Sequence, residues 1–108
     1  AIIEGFSINS DGSDKPGYAA PSISGQYDCI LGAWDNAQID PNELIYLEGH
    51  GTGTKLGDIV ELAALKYSFE KKRVNRTKCY LGSVKYTIGH ADVAAGISGL
   101  IKAILVLN

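Results

Sequence analysis

Along the 108 residues, short apolar runs alternate with longer stretches of helical periodicity. Ile2, Ile3, Phe6 and Ile8 make Ala1–Ile8 a predicted strand. The next run, NSDGSDKPGYAA at Asn9–Ala20, is crowded with turn formers and reads as a loop. From Pro21-Ser22 onward, Ile23, Tyr27, Ile30, Leu31 and Trp34 fall near one face of a helix. Asp40-Pro41-Asn42-Glu43 has the form of a one-turn helix start, with Asp40 as cap, Pro41 in the first position and Glu43 reaching back. LIYLE at 44–48 predicts a second strand. Asp58–Lys72 predicts a helix with Ile59, Leu62, Ala63 and Leu65 facing inward. Cys79–Val84 predicts a third strand, and Asp92–Leu107 a final helix that is apolar nearly all round.

This order of strand, helix, strand, helix, strand, helix leaves links long enough for crossovers. It predicts an α/β fold with about three parallel strands and three helices. Reactive groups in such sheets sit in loops just past the carboxyl ends of strands. His50 follows LIYLE and His90 follows the third strand, so both histidines hold that kind of position. A helix without a polar face, and a three-stranded sheet with two open edges, both need cover from other chain segments. The expectation is a piece of a larger domain.

Composition narrows the partners. A net charge of −2 gives no electrostatic case for nucleic acid or for an acidic membrane surface. Asp92, Ser98, Lys102 and two glycines interrupt the apolar last stretch, so a buried helix is expected rather than a membrane span. Ala1–Gly12 lacks the pattern of a signal peptide. Two cysteines, Cys29 and Cys79, make neither a disulfide framework nor a metal cage; both read as core thiols in a reducing, cytoplasmic setting.

The chemistry concentrates in YLEGHGTGTKLGD at 46–58. Within it the glycines of GTGTKLGD, at 51, 53 and 57, are spaced one residue too long for a dinucleotide fingerprint, and the run lacks the ending of a phosphate-binding loop. Asp58 and Glu61 fit a capping box that would begin the following helix. Glycine flanks both histidines, in Gly49-His50-Gly51 and Gly89-His90, which leaves room for a ligand or another backbone. Two neutral imidazoles can each present an N–H to an oxygen that turns negative during reaction. Two histidines with Asp58 or Asp92 are also a conceivable zinc set, although the spacing fits no metal motif. Thr52 and Thr54 either line a channel or satisfy loop backbone groups. Lys85, in a largely apolar strand end, is expected to pair with a carboxylate such as Glu61 or to set the charge near His90.

Three stretches carry a resemblance: INSDGSDKPGYAAPS at 8–22, EGHGTGTKLGDIVE at 48–61 and GSVKYTIGHADVAAGISGLIK at 82–102. They resemble, in order and spacing, the INNDGS, EAHGTGTxxGDPxE and GSVKSNIGHxxAAAGxxGLIK motifs of the β-ketoacyl synthase domain of modular polyketide synthases, a thiolase-like condensing enzyme. The resemblance implies a layered α/β/α/β/α fold and a decarboxylative Claisen condensation of an acyl thioester with a malonyl-type extender, in polyketide or fatty acid biosynthesis. By motif it places the two catalytic histidines on His50 and His90 and the supporting lysine on Lys85. It places the phosphopantetheine-binding threonines on Thr52 and Thr54, with Asp58 and Glu61 as structural support. It implies no metal and no cofactor bound by the domain, because the substrate arrives on the phosphopantetheine of an acyl carrier protein. The implied partners are that carrier protein, the rest of the domain, neighbouring synthase domains and a second copy in a homodimer.

The chain departs from the family at Gly49 for alanine, Ile59 for proline, Tyr86 for serine, Thr87 for asparagine and Ser10 for asparagine. Neither cysteine matches the TACSS motif that carries the family's nucleophile, and the late GFGGTN loop is not in the sequence. Residues 1–108 are therefore expected to be a partial domain, from the end of the N-terminal half to the start of the C-terminal half, and inactive alone. A carrier-binding piece that does not elongate, and an independent small α/β binding module, are the alternative readings.

Overall fold

The computed structural model describes residues 1–12, 21–75 and 78–108. The first helix, α1, spans Ile23–Ala37. Ser22 precedes it in extended conformation, and its hydroxyl accepts the Gly25 N–H at 3.0 Å, which satisfies one of the free donors of the first turn. At its other end Gln38 takes a left-handed conformation (φ 55°), and Gln38 and Ile39 donate back to Asp35 and Trp34 carbonyls. A single 3-10 turn at Pro41–Glu43 follows. Asp40 caps it through Asn42 N–H and Pro41 opens it, both as expected from the sequence.

Strand β1 is Tyr46–Glu48 and strand β2 is Tyr80–Gly82. They pair in parallel, Tyr46 with Tyr80, Leu47 with Leu81 and Glu48 with Gly82. Helix α2, Lys55–Lys71, makes the crossover between them. The short helix α3 spans Lys85–Ile88, and after a 3-10 turn at Asp92–Ala94 comes α4, Ala95–Val106.

Alternation along β1 sorts the layers. Leu47 and Leu81 face a cavity of about 390 Å³ that α1 and α2 close with Cys29, Ile30, Trp34 and Leu65. Tyr46 and Glu48 point the other way, to α4, where both meet Lys102. The chain thus builds one layer of α1 and α2, a thin sheet, and one layer of α4. In the first layer Trp34 is buried, and its ring lies 5.3 Å from that of Phe69. Val60, Ala64 and Ser68 follow one another at helical spacing on the buried face of α2. Ser68 is fully buried and satisfied, its hydroxyl donating to the Ala64 carbonyl at 2.8 Å. Lys72 pairs with Asp35 across the two helices.

Four sequence expectations are corrected. Residues 1–8 do not join the sheet. They run along α1 instead: Phe6 N–H donates to Asn36, Cys29 donates to the Ser7 carbonyl, and Gly5 packs against Ala33 and Ala37. Two of the groups that would pair with a strand, the Phe6 N–H and the Ser7 carbonyl, are taken by side chains of α1, and Ile2, Ile3, Phe6 and Ile8 stay exposed. The sheet accordingly has two strands among the described residues. Second, α2 begins at Lys55 rather than Asp58, because the Thr54 hydroxyl accepts the Gly57 N–H at 3.1 Å and serves as the cap. Third, Lys85 opens a helix and does not end a strand. Fourth, neither cysteine is a core thiol; Cys29 and Cys79 are half-buried. The expected loop at Asn9–Ala20 lies mostly outside the described residues. No described helix is long and apolar enough to cross a membrane.

Gln38 carries a conformational penalty that glycine would not, of about 1 kcal/mol. Gln38→Gly is expected to raise the stability of the full-length protein by about 0.5–1 kcal/mol, read as a rise in melting temperature.

Candidate active site

Parallel pairing brings the carboxyl ends of β1 and β2 side by side. The Gly49 N–H extends the ladder by one bond to the Gly82 carbonyl at 2.7 Å, and the chain then leaves the sheet. His50 comes next. Gly51 and Gly53 both have positive φ, 47° and 75°, so the run GHGTG turns sharply away from the strand.

Two groups hold this turn. The Glu61 carboxylate, from the second turn of α2, accepts the His50 N–H at 2.6 Å and the Gly51 N–H at 2.9 Å. From the other side the buried Ser83 hydroxyl lies 3.3 Å from the His50 carbonyl and 3.5 Å from that of Gly51. The peptide group after His50 is therefore tied on both its N–H and its C=O side, and the one before it through its N–H. Asp58 reaches back from α2 to accept the Gly53 N–H at 3.2 Å. The capping-box expectation for Asp58 and Glu61 fails, since Thr54 already caps the helix and frees both acids to brace the loop.

His90 arrives by a different route. β2 ends at Gly82, Ser83 accepts the Lys85 N–H at 3.3 Å, and α3 makes one turn. Gly89 breaks that turn at φ 76°, ψ −173°, a backbone region that only glycine enters readily. Asp92, itself at φ 44°, donates its N–H to His90 Nδ1 at 3.0 Å. With Nδ1 accepting, the neutral ring carries its proton on Nε2. The Asp92 carboxylate is 3.7 Å from the same nitrogen.

The two imidazoles meet edge to face, their centroids 5.7 Å apart and their planes at 90°. They are 40 positions apart in sequence, and each has an exposed edge. His50 lines two hollows. One, of about 300 Å³, includes Glu48, Val84, Lys85 and the α4 positions Gly96 and Gly99. The other, of about 420 Å³, includes Thr52, Thr54, Gln26 and Glu61. Thr52 and Thr54 are hydroxyl to hydroxyl at 3.2 Å, so one of them both caps α2 and shares the lining. Lys85 is near His50 in the first hollow, but it makes no ion pair with Glu61, whose oxygens are taken by backbone N–H groups. Neither cysteine lines either hollow. No group of three His, Cys, Asp or Glu able to hold a metal occurs among the described residues.

The carboxylate–lysine pair exists elsewhere. Glu48, with 11% of its side chain exposed, accepts Lys102 Nζ at 3.0 Å, the Tyr46 hydroxyl and the Val84 N–H. Burial pushes the Glu48 carboxyl up, but the Tyr46, Lys102 and Val84 hydrogen bonds and the Lys102 charge together hold it below its ordinary 4.5. Hydrogen bonds to Tyr46 and Glu48 raise Lys102 above its ordinary value in turn. Sequence reasoning named neither Glu48 nor Ser83. The available signal was a lysine inside the apolar run of α4 with an acid in a short, half-buried strand, two charges that need each other.

The β-ketoacyl synthase family, in its C-terminal domain, matches residues 1–108. The chain belongs to the β-ketoacyl synthases. It is 52% identical, over its full length, to a phenolphthiocerol/phthiocerol polyketide synthase of Mycobacterium tuberculosis, and 45% identical over 99% of its length to polyketide synthase PksN of Bacillus subtilis. Among solved structures it superposes on ketosynthase twelve of the bacillaene polyketide synthase of Bacillus amyloliquefaciens with a TM-score of 0.88 at 45% identity, covering 92% of this chain. An oxazolomycin ketosynthase domain from Streptomyces albus gives 0.90 at 38% identity, covering 95%. The fold is thus the thiolase-like fold of the ketosynthases, to which this chain contributes helices and a small parallel sheet. The chain spans only 7% and 2% of those two synthases and 18% of each solved ketosynthase chain.

Two outcomes follow for the site. A Cβ on Gly51 would sit 2.8 Å from Ser83 Cβ at a positive φ, whereas one on Gly49 would come no nearer than 3.2 Å to Glu61 Oε1 and 3.5 Å to the Gly82 carbonyl and Leu81. Gly51→Ala is expected to cost about 1–3 kcal/mol of stability, and Gly49→Ala, the family's usual residue, less than about 1 kcal/mol, by thermal melting of the full-length enzyme. The second concerns acid. Glu48 has its folded value below its unfolded one, so its stabilising contribution is complete above pH 4.5 and is lost as pH falls through the lower folded value. Melting temperature measured downward from pH 5 should fall less in Glu48→Gln than in the parent.

Proposed function

We propose that this chain supplies the two-histidine wall of a β-ketoacyl synthase that performs a decarboxylative Claisen condensation in polyketide or fatty acid biosynthesis. The observation that carries the reading is the approach of His50 and His90 to 5.7 Å at the carboxyl end of a parallel strand pair. In the proposed step a malonyl-type thioester loses CO₂. The C–C bond to the carboxylate breaks, and its electron pair becomes an enolate whose charge rests on the thioester oxygen. His90 Nε2–H and an N–H of His50 donate to that oxygen, each donor being worth about 3 kcal/mol. The enolate carbon then attacks an acyl thioester on a cysteine; a C–C bond forms, the C–S bond breaks and the thiolate departs. That cysteine is assigned to a part of the synthase outside these 108 residues.

Lys85 is assigned an electrostatic supporting role, beside His50 in the same hollow. Thr52 and Thr54 are assigned to the phosphopantetheine arm of an acyl carrier protein, whose amides suit paired hydroxyls. Asp58 and Glu61 are assigned to holding the loop. The apolar faces of α4, with Ile97, Ile101 and Leu105 exposed, are assigned to cover by the rest of the ketosynthase in a homodimeric enzyme.

The test uses the full-length synthase with malonyl-loaded carrier protein. His50→Ala and His90→Ala are each expected to slow CO₂ release by about 10²-fold while acyl loading of the cysteine stays within a few-fold. Equal losses in both steps would overturn the assignment of the histidines to the extender.

A further inference from the structure

The two histidines come from chain segments that could drift independently. His50 belongs to the loop after β1 and His90 to the segment after α3. The ladder between them ends at the Gly49 N–H to Gly82 carbonyl bond of 2.7 Å, and beyond it the contacts that join the two arms directly are few. Ser83 touches the His50 and Gly51 carbonyls at 3.3 and 3.5 Å, long distances for a hydroxyl donor. The stronger tie is made by Glu48. It is the last residue of β1, two before His50, and its Oε1 accepts the N–H of Val84, the residue that leads into α3. Its Oε2 takes the Tyr46 hydroxyl and Lys102 Nζ, which hold the side chain in place from its own strand and from α4. α4 can come this close because Gly99 has no side chain; a Cβ there would meet Glu48 Cγ at 3.3 Å.

A charge-assisted bond to a backbone N–H fixes position more tightly than a neutral one. Here it fixes the start of the helix that carries Lys85 and leads to His90, measured from the strand that delivers His50. We infer that Glu48 is a positioning residue for the condensing site: its bond to the Val84 N–H sets the separation of His50 and His90. Lys102 neutralises and orients Glu48 but is not part of that link. The inference rests on the histidine roles proposed above, and it asks for a different pattern of loss.

A glutamine at position 48 keeps one acceptor oxygen and has an NH2 in place of the other; the Lys102 ammonium, the stronger donor, draws that oxygen and the NH2 is left facing the Val84 N–H, so the link is lost. In the full-length synthase Glu48→Gln is expected to lower kcat for CO₂ release from malonyl-loaded carrier protein by about tenfold, with KM for the carrier protein and the rate of acyl loading within about twofold. Lys102→Met leaves the Val84 bond in place. It is expected to lower the melting temperature at least as much as Glu48→Gln but to keep CO₂ release within about threefold. A purely structural role for Glu48 predicts the reverse, with activity following stability in both variants. The inference is overturned if Lys102→Met slows CO₂ release as much as Glu48→Gln, if Glu48→Gln slows acyl loading equally, or if it leaves CO₂ release unchanged. Should the His50 and His90 variants leave CO₂ release intact, the functional reading itself fails. Should they abolish it while Glu48→Gln does not slow it, only the positioning role fails.

Discussion

Everything at the site depends on the parallel register of two three-residue strands. Pairing Glu48 with Gly82 makes both chains leave the sheet at the same edge and on the same level. A parallel pair requires a crossover, and α2 provides it. The same helix then returns the Glu61 and Asp58 carboxylates to the loop that preceded it. A slip of one residue would turn Glu48 away from Lys102 and Leu47 away from α1 and α2, exchanging the contents of the two layers. Register is therefore fixed by burial on both faces at once, although the ladder itself is short.

The acids divide the labour according to their surroundings. Glu61 meets only backbone donors and serves one loop. Glu48 lies between strand and helix, where its charge would be costly without Lys102 and where a hydroxyl and an amide complete its shell. The imidazoles have exposed edges, while Glu61 and Ser83 hold the backbone at His50 and the Asp92 N–H holds His90 Nδ1, which supports the proposed role of donors fixed in advance of the charge they would stabilise.

Much of this was legible in the sequence. The strand–loop placement of His50 followed from reading LIYLE as a strand and the glycines as turn residues; His90 was expected straight past the third strand, and α3 intervenes, yet the two rings do meet. Helices α1, α2 and α4 were visible as periodic apolar stretches. Misreadings had specific physical causes. Ile2, Ile3, Phe6 and Ile8 have a strand's composition, but composition does not say which neighbour will accept the backbone, and here a helix does. Asp58 and Glu61 match a capping box, but Thr54, four residues earlier than Asp58, offered a hydroxyl in the right place and captured the cap. A buried lysine–carboxylate pair was anticipated with Lys85 and Glu61; Lys102 and Glu48 make it. Pairing across 54 positions depends on how α4 lies over β1, and no local pattern encodes that.

The Glu61 brace has a consequence for the order in which the site can assemble. Its bonds to His50 and Gly51 close loops of 11 and 10 residues, within a single strand–loop–helix unit. Short closures are entropically cheap and form early. The Glu48–Val84 bond spans 36 residues and waits for β2. The His50 half of the site is thus a local structure that matures as α2 forms, and the His90 half is added to it. During synthesis from the N-terminus, the chain would carry one shaped half-site while its counterpart was still on the ribosome, with Glu48 held ready at the seam.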